Sequence, residues 1–505
     1  MPWPAGSSTS VPFSGRLWNP DQRPTGRAVG SGLSSSGVRR HLLPALLGVV
    51  SVVCTVVGLS VGPTTAGAER SQDPPLPAPE APVLSPRRVP ALLAQQVGTA
   101  RLIQALRGIS ESTPASTCLL VTEGSRVLFE READEPLAPA SGMKLLTAAA
   151  ALERLGADGR LRTEVVTPTR PVGGVVDGDL WLVGGGDPVL GTSAWATAVP
   201  DHPQPYTSLE ELADAIARAG VAEVRGSVVG DESRYDRVRY VASWPQRHVV
   251  GNEVGPLSAL SVNDGFAEWK PTNVPFADPA AGAAGVFTEL LRQRGIVVGG
   301  EPAAGSAPPD AAPVAGIDSP TVAELVTHML RESDDGTAEL LAKELGLRER
   351  GSGTTASGVA VIAATLETMG LPTGGLSVRD GSGLDPGNRA SCRLLHDVVA
   401  AGEGGPLDEG LPVAGTTGTL TGRFVDTPVT GRLRAKTGSL RGVASLSGVA
   451  TTVGGFELTF SSILNGTDRL GEGVPLQDAL GTALVRYPDL PGFDEIGPAG
   501  YGSAP

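Results

Sequence analysis

The chain has 505 residues, of which 40% are hydrophobic and 19% are charged, as in ordinary globular proteins. Its net charge is −14; residues 1–68 carry five Arg and one Asp, or +4, so the remainder carries −18. This acidity argues against nucleic acid as a partner, because phosphate binding needs clustered Lys and Arg. The five His show no metal-ligand spacing, and we expect neither a metal nor a cofactor.

The first 68 residues have the pattern of an export segment. Residues 1–41 are rich in Ser, Gly, Pro and Arg and predict a disordered leader. Arg39 and Arg40 then precede a mostly apolar run, 42–61, which is followed by small residues up to Ala68. Residues 42–68 are therefore interpreted as a signal peptide or a membrane anchor, and both alternatives stay open. Either one places the rest of the chain outside the cytoplasm.

The next segments set the limits of the folded part. Residues 69–90 are Pro-rich and predict a stiff linker, while the Gly- and Pro-rich residues 487–505 predict a disordered tail. In between, a Gly-containing turn joins 118–121 to 126–129, which predicts a hairpin. The Ala/Leu-rich stretch 144–155 predicts a buried helix.

From about residue 164 to 315 the pattern changes to short strands with many Gly and Pro, and one clear helix at 208–219. Helical patterns return at 320–347 and 354–369, strands are predicted at 442–451 and 455–464, and a closing helix at 472–486. The sequence thus predicts an α/β (α+β) domain, formed by 91–163 and 316–486, that is interrupted by a strand-rich insert at 164–315.

Lysine is rare in this chain, with four Lys against 36 Arg, so each Lys merits inspection. Ser141-Gly142-Met143-Lys144 is the one S-x-x-K of the sequence and begins a predicted helix. Residues i and i+3 share a helix face, so the Ser141 hydroxyl and the Lys144 amine can meet. A lysine amine can take the proton of a serine and make it a nucleophile, which arginine cannot do.

A second lysine lies in Lys436-Thr437-Gly438-Ser439, just before the predicted strand pair. Gly438 would let a ligand approach the backbone closely. A cation beside two hydroxyl groups suits a carboxylate, such as a peptide C-terminus.

The two motifs, in this order, resemble those of the penicillin-recognising serine enzymes. The stretch from about 88 to 486 resembles the D-alanyl-D-alanine carboxypeptidase/endopeptidase family, the class C low-molecular-mass penicillin-binding proteins. The matching blocks are PASGMKLLTAAAAL, GDLWLVGGGDPVL, VRGSVVGDESRYD, GPLSALSVNDG, DGSGL, LPVAGTTGTLTGR and RAKTGSLRG. The resemblance implies a transpeptidase-like catalytic domain with domains inserted between its first two motifs, which fits the segment 164–315.

The family's third motif is S-x-N, for which the chain offers two candidates. Ser261-Val262-Asn263 fits the letters but resembles an insert block, so we assign the motif to Ser333-Asp334-Asp335. Asp335 then stands where the family has Asn. An ionised Asp only accepts hydrogen bonds, and it would stabilise the ammonium form of Lys144 and weaken this base.

The resemblance implies an exported serine-type D-Ala-D-Ala carboxypeptidase or endopeptidase that acts on peptidoglycan stem peptides. Ser141 is then the nucleophile, Lys144 its base and Ser333 a proton relay, with an oxyanion hole from the N–H groups of Ser141 and Ser439. Lys436, Thr437, Gly438, Ser439 and Asp335 line the substrate site. β-Lactams should acylate Ser141 as covalent inhibitors.

Two other functions remain open: a β-lactamase or esterase on the same fold, and a weakly active or non-catalytic wall-binding protein, which Asp335 motivates. Residues 42–61 provide a possible membrane attachment. Whether Cys118 and Cys392 pair cannot be read from the sequence. His328 and His396 have apolar neighbours on predicted helices and are interpreted as packing residues.

Overall fold

The computed structural model describes residues 90–198, 205–269, 271–467 and 471–490. The predicted leader, the export segment at 42–68, the linker before residue 90 and the tail after residue 490 lie outside these ranges. Within them, no helix combines the length and the apolar character that crossing a bilayer requires.

The elements in chain order show a domain of mixed helices and strands. The helices are α1 (Pro90–Glu111), α2 (Met143–Leu155), α3 (Ser193–Ala198), α4 (Leu209–Arg218), α5 (Gln246–Val250), α6 (Pro279–Gln293), α7 (Val322–Glu332), α8 (Asp335–Arg350), α9 (Thr355–Thr368), α10 (Cys392–Ala401), α11 (Pro406–Glu409) and α12 (Val474–Val485). The strands are β1 (Thr117–Glu123), β2 (Arg126–Arg131), β3 (Arg162–Thr167), β4 (Val175–Val176), β5 (Leu180–Val183), β6 (Leu190–Gly191), β7 (Thr207–Ser208), β8 (Glu223–Val224), β9 (Val228–Asp231), β10 (Phe266–Glu268), β11 (Val274–Pro275), β12 (Val297–Val298), β13 (Ala303–Ala304), β14 (Ala312–Asp318), β15 (Leu433–Leu440), β16 (Val443–Thr451) and β17 (Glu457–Asn465).

The central sheet is antiparallel and has the strand order β15-β16-β17-β1-β2. The predicted hairpin forms β1 and β2, and the predicted C-terminal strand pair forms β16 and β17. Side chains alternate along β1 because successive residues of a strand point to opposite faces. Cys118 and Leu120 join one hydrophobic cluster, and Leu119 and Val121 join another.

These two clusters give the domain three layers. On one face of the sheet lie α2 and α7–α10, and on the other lie α1 and α12. Met143, Leu145 and Leu146 of α2 are fully buried, and burying each such side chain stabilises the fold by about 1.5–3 kcal/mol. Tyr487, at the predicted start of the tail, is also buried, so the folded part extends at least to this residue.

A disulfide joins Cys118 of β1 to Cys392 at the start of α10. Both cysteines are fully buried, and 274 residues separate them in sequence. The bond therefore links the central sheet to the helical layer that carries α2.

The chain between 162 and 318 has its own hydrophobic core and its own sheets. The larger sheet has the order β13-β9-β5-β3-β14. In it, β3 at the start of this segment pairs with β14 at its end. The sequence predicted one clear helix here, and α6 was missed. This helix is Gly- and Ala-rich, but Asp278 caps it by accepting from the N–H groups of Ala280 and Ala281, with Pro279 in its first turn.

The predicted helix 320–347 is wrong in one respect, since it is two helices, α7 and α8. Ser333 ends α7 in the left-handed conformation, with φ of 62°. Asp334 then caps α8 by accepting from the N–H of Thr337. The apolar spacing continues across the break, so periodicity alone did not reveal it.

Candidate active site

Ser141 lies in a short 3₁₀ turn, Ala140–Gly142, that leads into α2. Ala140 has φ of 48°, a conformation that non-glycine residues seldom adopt and that often occurs beside functional groups. The Lys144 Nζ is 3.2 Å from the Ser141 Oγ. The Lys144 side chain is fully buried, while Ser141 is partly exposed. The structure therefore brings together the hydroxyl and the amine that the sequence paired.

Lys144 has two further partners. Its Nζ donates to the Asp335 Oδ1 at 2.6 Å and to the Ser382 carbonyl oxygen at 2.7 Å. Burial raises the pKa of the Asp335 carboxyl above its ordinary value, and the Lys144 ammonium opposes that shift. The predicted contact between Asp335 and Lys144 is thus present.

The Lys-Thr-Gly motif precedes the strand pair β16–β17, as expected, and it lies within a strand of its own, β15, at the edge of the sheet. Side chains alternate, so that Lys436 and Gly438 are buried while Thr437 and Ser439 are partly exposed. A Cβ at Gly438 would lie 2.6 Å from the carbonyl oxygen of Pro139. Only glycine lets this strand pack directly against the turn that carries Ser141.

Hydrogen bonds fix the side chains of Lys436 and Thr437 at this edge of the sheet. Its Nζ donates to the carbonyl oxygen of Thr437 at 2.8 Å. Burial, and after it the charge of Lys144, lower the pKa of Lys436 well below its ordinary value. The hydroxyl groups of Thr437 and Thr419 are 2.7 Å apart. Thr419 was not assigned a role from the sequence, although its LPVAGTTGTLTGR block was noted.

Ser333 and Asp335 line one cavity together with residues of the insert, among them Glu253 and Asp264. Asp334 lines the same cavity, and its carboxylate is bonded to His328 Nε2 at 3.0 Å and to the Thr337 hydroxyl. His328 is buried, as its interpretation as a packing residue requires.

The rejected third-motif candidate and the second histidine have structural partners. The Asn263 side chain accepts from the backbone N–H of Thr192 inside the insert, whereas Ser261 lines the same cavity as Ser333 and Asp335. His396 is buried on α10, with Nε2 2.9 Å from the Thr122 hydroxyl of β1.

Sequence reasoning missed the loop at 380–385, here called the acceptor loop. Its Ser382 carbonyl accepts from Lys144, and its Gly381 carbonyl accepts from the Thr147 hydroxyl, one turn further along α2. The block DGSGL was noted as a resemblance without a role. Every residue has a backbone carbonyl, so the residue types could not predict the contact between Lys144 and the Ser382 carbonyl.

Two buried carboxyl groups belong to this region, one on α8 beside the loop and one in the loop itself. Glu339 of α8 accepts from the N–H groups of Gly381 and Ser382 at 2.9 and 2.8 Å. Burial, and after it the charge of Asp380, raise the pKa of Glu339 to about 8. Burial also raises the pKa of Asp380, whose N–H donors oppose the shift.

A serine at the start of a helix, a lysine one turn later and a Lys-Thr-Gly strand beside them define the penicillin-recognising class of serine enzymes. The model of the D-Ala-D-Ala carboxypeptidase 3 (S13) family matches residues 102–275 and 265–479. The chain therefore belongs to this family, and it is a serine-type D-Ala-D-Ala carboxypeptidase. The resemblance inferred from the sequence is confirmed.

Relatives and solved structures agree with this placement. A carboxypeptidase of Mycobacterium tuberculosis is 33% identical over 71% of this chain and 77% of its own. A D-alanyl-D-alanine carboxypeptidase of Actinomadura sp. (strain R39) is 29% identical over 75% of this chain and 82% of its own. Penicillin-binding protein 4 of Haemophilus influenzae shares the fold, with a TM-score of 0.64, 21% identity, and coverage of 75% of this chain and 98% of that one.

Proposed function

We propose that this enzyme cleaves the terminal D-Ala-D-Ala bond of peptidoglycan stem peptides through an acyl-enzyme on Ser141. The observation that carries the proposal is the 3.2 Å approach of the Ser141 Oγ to the buried amine of Lys144. A positioned amine can remove the serine proton as the hydroxyl attacks the carbonyl.

In the first half of the reaction, Lys144 takes the proton of Ser141 while the Ser141 oxygen bonds to the carbonyl carbon. The negative oxygen that forms is stabilised by the N–H groups of Ser141 and Ser439. The C–N bond then breaks as Lys144 gives up this proton, which Ser333 relays to the departing amine of D-Ala, so that Lys144 is neutral again. In the second half, water attacks the ester carbonyl and Lys144 takes a proton from the water. The bond from the carbonyl carbon to the Ser141 oxygen then breaks, and this oxygen leaves as a hydroxyl with the proton that Lys144 returns.

The substrate carboxylate is bound at the exposed side of β15. Thr437 and Ser439 present partly exposed hydroxyl groups there, and Lys436 adds a nearby basic group. Hydrogen bonds from hydroxyl groups to a carboxylate are charge-assisted and therefore strong. This arrangement selects a substrate that ends in a free carboxylate, which is what a carboxypeptidase requires.

β-Lactams should acylate Ser141, since they present a carboxylate next to a reactive amide. Penicillin-binding protein 4 of Haemophilus influenzae has been solved with a β-lactam, in a structure that shares this fold with a TM-score of 0.57. A β-lactamase or esterase on the same fold would release the acyl group rapidly. A wall-binding protein that the Asp335–Lys144 pair has inactivated would form no acyl group.

The enzyme acts outside the cytoplasm, where peptidoglycan lies, and we propose that residues 42–68 direct it there as a cleaved signal or a retained anchor at 42–61. The buried disulfide between Cys118 and Cys392 supports an oxidising compartment. Protease treatment of intact cells should degrade the folded domain, and a protected cytoplasmic pool would contradict export.

The direct test measures the release of D-Ala from a stem pentapeptide that ends in D-Ala-D-Ala. We expect release by the wild-type enzyme and none by the Ser141→Ala variant. Ser112→Ala, which changes an exposed serine at the end of α1, is the matched control and should keep the wild-type rate. Release by Ser141→Ala at the wild-type rate would remove Ser141 from the mechanism.

A further inference from the structure

The acceptor loop packs directly on the turn that carries Ser141. Gly383 has φ of 93°, and a Cβ there would lie 2.0 Å from the carbonyl oxygen of Ala140 and 3.0 Å from the backbone nitrogen of Ser141. Together with the bonds from Lys144 and Thr147 to its carbonyl groups, this contact fixes the loop against the beginning of α2. A displacement of the loop would therefore move the partner of Lys144.

The position of the Ser382 carbonyl matters because Lys144 can act as a base only as a neutral amine whose lone pair faces the Ser141 hydroxyl. A neutral lysine amine has two N–H donors and one lone pair. If the donors are directed at the Ser382 oxygen and at Asp335, the lone pair is directed at the Ser141 hydroxyl. The carbonyl thus orients the amine for proton removal.

Asp380 organises the loop from within. Its carboxylate accepts from the N–H groups of Gly383 and Asp385 at 2.8 and 2.6 Å and from the side-chain amide of Asn388 at 2.7 Å. These bonds close the loop on itself. Asp380 is fully buried, so each donor that it loses leaves a poorly compensated buried charge.

The fourth donor to Asp380 comes from the insert. The indole N–H of Trp244 donates to the Asp380 Oδ2 at 2.8 Å, and Trp244 is only 4% exposed. Its neighbour Ser243 donates to the carboxylate of Asp385. Residues 241–244, here called the insert strap, therefore hold the loop at both of its acidic residues. The strap lies between β9 and α5, about 140 residues before the loop in sequence.

We propose that Trp244 is a positioning residue for Lys144, so that the insert completes the active site through Trp244, Asp380 and the Ser382 carbonyl. This inference rests on the proposed role of Lys144 as the base. It gives the insert a function in the chemical step, in addition to any contact with substrate. Loss of the indole N–H should loosen the acceptor loop and slow acylation without weakening the first, non-covalent encounter with the ligand.

The test uses Trp244→Phe, which removes the N–H donor and keeps an aromatic ring. With a fluorescent penicillin, the limiting acylation rate and the non-covalent dissociation constant are measured separately by stopped flow. We expect the limiting rate to fall at least tenfold and the dissociation constant to stay within twofold. Trp195→Phe is the matched control, since Trp195 is equally buried in the insert but packs on Gly191, and it should keep the wild-type rate.

Ser243→Ala provides a second variant that does not depend on a buried side chain, because Ser243 is exposed. It should lower the limiting acylation rate about threefold with an unchanged unfolding temperature. If Trp244→Phe fails to fold, this variant alone tests the proposed role of the insert strap. Wild-type rates in both variants, or in Ser243→Ala alone when Trp244→Phe is unfolded, would overturn the inference. Labelling of Ser141→Ala in parallel would instead overturn the proposed function.

Discussion

By the resemblance to the family, Asp335 stands where the family has Asn, and its side chain contacts Lys144, the proposed base, directly. Its Oδ1 is 2.6 Å from the Lys144 Nζ, and only 17% of its side chain is exposed. Two opposite charges ~4 Å apart at an effective dielectric near 20 attract by about 4 kcal/mol before desolvation is counted. An ionised Asp335 therefore stabilises the charged form of Lys144, which cannot accept a proton.

Replacing Asp335 by Asn should remove the negative charge that stabilises the charged form of Lys144. We expect Asp335→Asn to be acylated by benzylpenicillin at least about tenfold faster at neutral pH, equivalent to ~1.4 kcal/mol of barrier. Stopped-flow measurement of the acylation rates of both forms tests this expectation. A slower Asn variant would show that the site has been adapted to the acid.

The role of Lys144 as a base is tested by a substitution that keeps its charge. Lys144→Arg can still pair with Asp335, but a guanidinium does not give up its proton. The acylation rate should fall by at least about 10²-fold, the usual contribution of a general base. Lys343→Arg is the matched control, because Lys343 is also buried and is paired with Asp236. Equal rates in Lys144→Arg and the wild type would exclude this base.

Sequence reasoning identified the main residues of the candidate site because their reactivity depends on the type of side chain. Ser141, Lys144 and the Lys436 motif are recognisable from letters and spacing, and the contact between Asp335 and Lys144 followed from the resemblance. The Ser382 carbonyl and the hydroxyl of Thr419 were missed. Their contribution depends on backbone position and on a partner far away in sequence, so no local pattern marks it.

Among the elements, α8 carries two carboxyl groups of the active-site region, one bonded to Lys144 and one bonded to the acceptor loop. Asp335 begins this helix and Glu339 follows one turn later, with one oxygen bonded to the acceptor loop. The other oxygen, Oε2, is buried without a hydrogen-bond partner among the described residues. An ionised carboxylate is costly in such a place, which is why the pKa of Glu339 rises to about 8.

This raised pKa makes the stability of the domain depend on pH. Between the ordinary value of 4.5 and about 8, the folded chain keeps a proton on Glu339 that the unfolded chain releases. The free energy of unfolding should therefore decrease as pH rises through this window and level off above it.

Replacing Glu339 by Gln should flatten that pH dependence, because Gln keeps the oxygen acceptor and cannot ionise. We expect the melting temperature of the wild type to fall more steeply from pH 5 to pH 8.5 than that of Glu339→Gln. Differential scanning calorimetry at several pH values measures the two slopes. Parallel curves would mean that Glu339 does not titrate in this range.

The element boundaries illustrate where local patterns are sufficient. The helix α2 and the hairpin β1–β2 were predicted nearly to the residue, since Ala/Leu content and a glycine turn determine them locally. The break at Ser333 was missed because a left-handed serine does not interrupt the apolar spacing. The glycine of the Lys-Thr-Gly motif was expected on a strand, but the bounds of β15 were not predicted, because Lys, Thr, Gly and Ser do not form an apolar strand pattern and pairing with β16 stabilises the strand instead.

For the whole molecule, the disulfide connects two layers that are distant in sequence. Cys118 belongs to the sheet and Cys392 to a helix of the layer that carries the candidate nucleophile. The sequence could not show this bond, because two cysteines alone do not indicate how their backbones approach. The contact of the insert with the acceptor loop was unreadable for the same reason.

Removing the disulfide should destabilise the domain without altering its site. The double variant Cys118→Ala/Cys392→Ala is expected to lose about 2–4 kcal/mol in the free energy of unfolding, because the unfolded chain gains freedom. Urea unfolding followed by circular dichroism measures the difference. A reductant should shift the wild type towards the variant and leave the variant unchanged; coincident curves without reductant would argue against any stabilising role for the bond.

The proposed mechanism depends above all on an acyl group at Ser141, which mass spectrometry after treatment with benzylpenicillin can detect. We expect one added penicillin per chain, located by peptide mapping on the peptide that contains Ser141, and no addition to Ser141→Ala. The adduct should persist for minutes, as in a peptidase that deacylates β-lactams slowly. An adduct on another residue, or an unmodified wild-type chain that leaves the penicillin intact, would refute the role of Ser141.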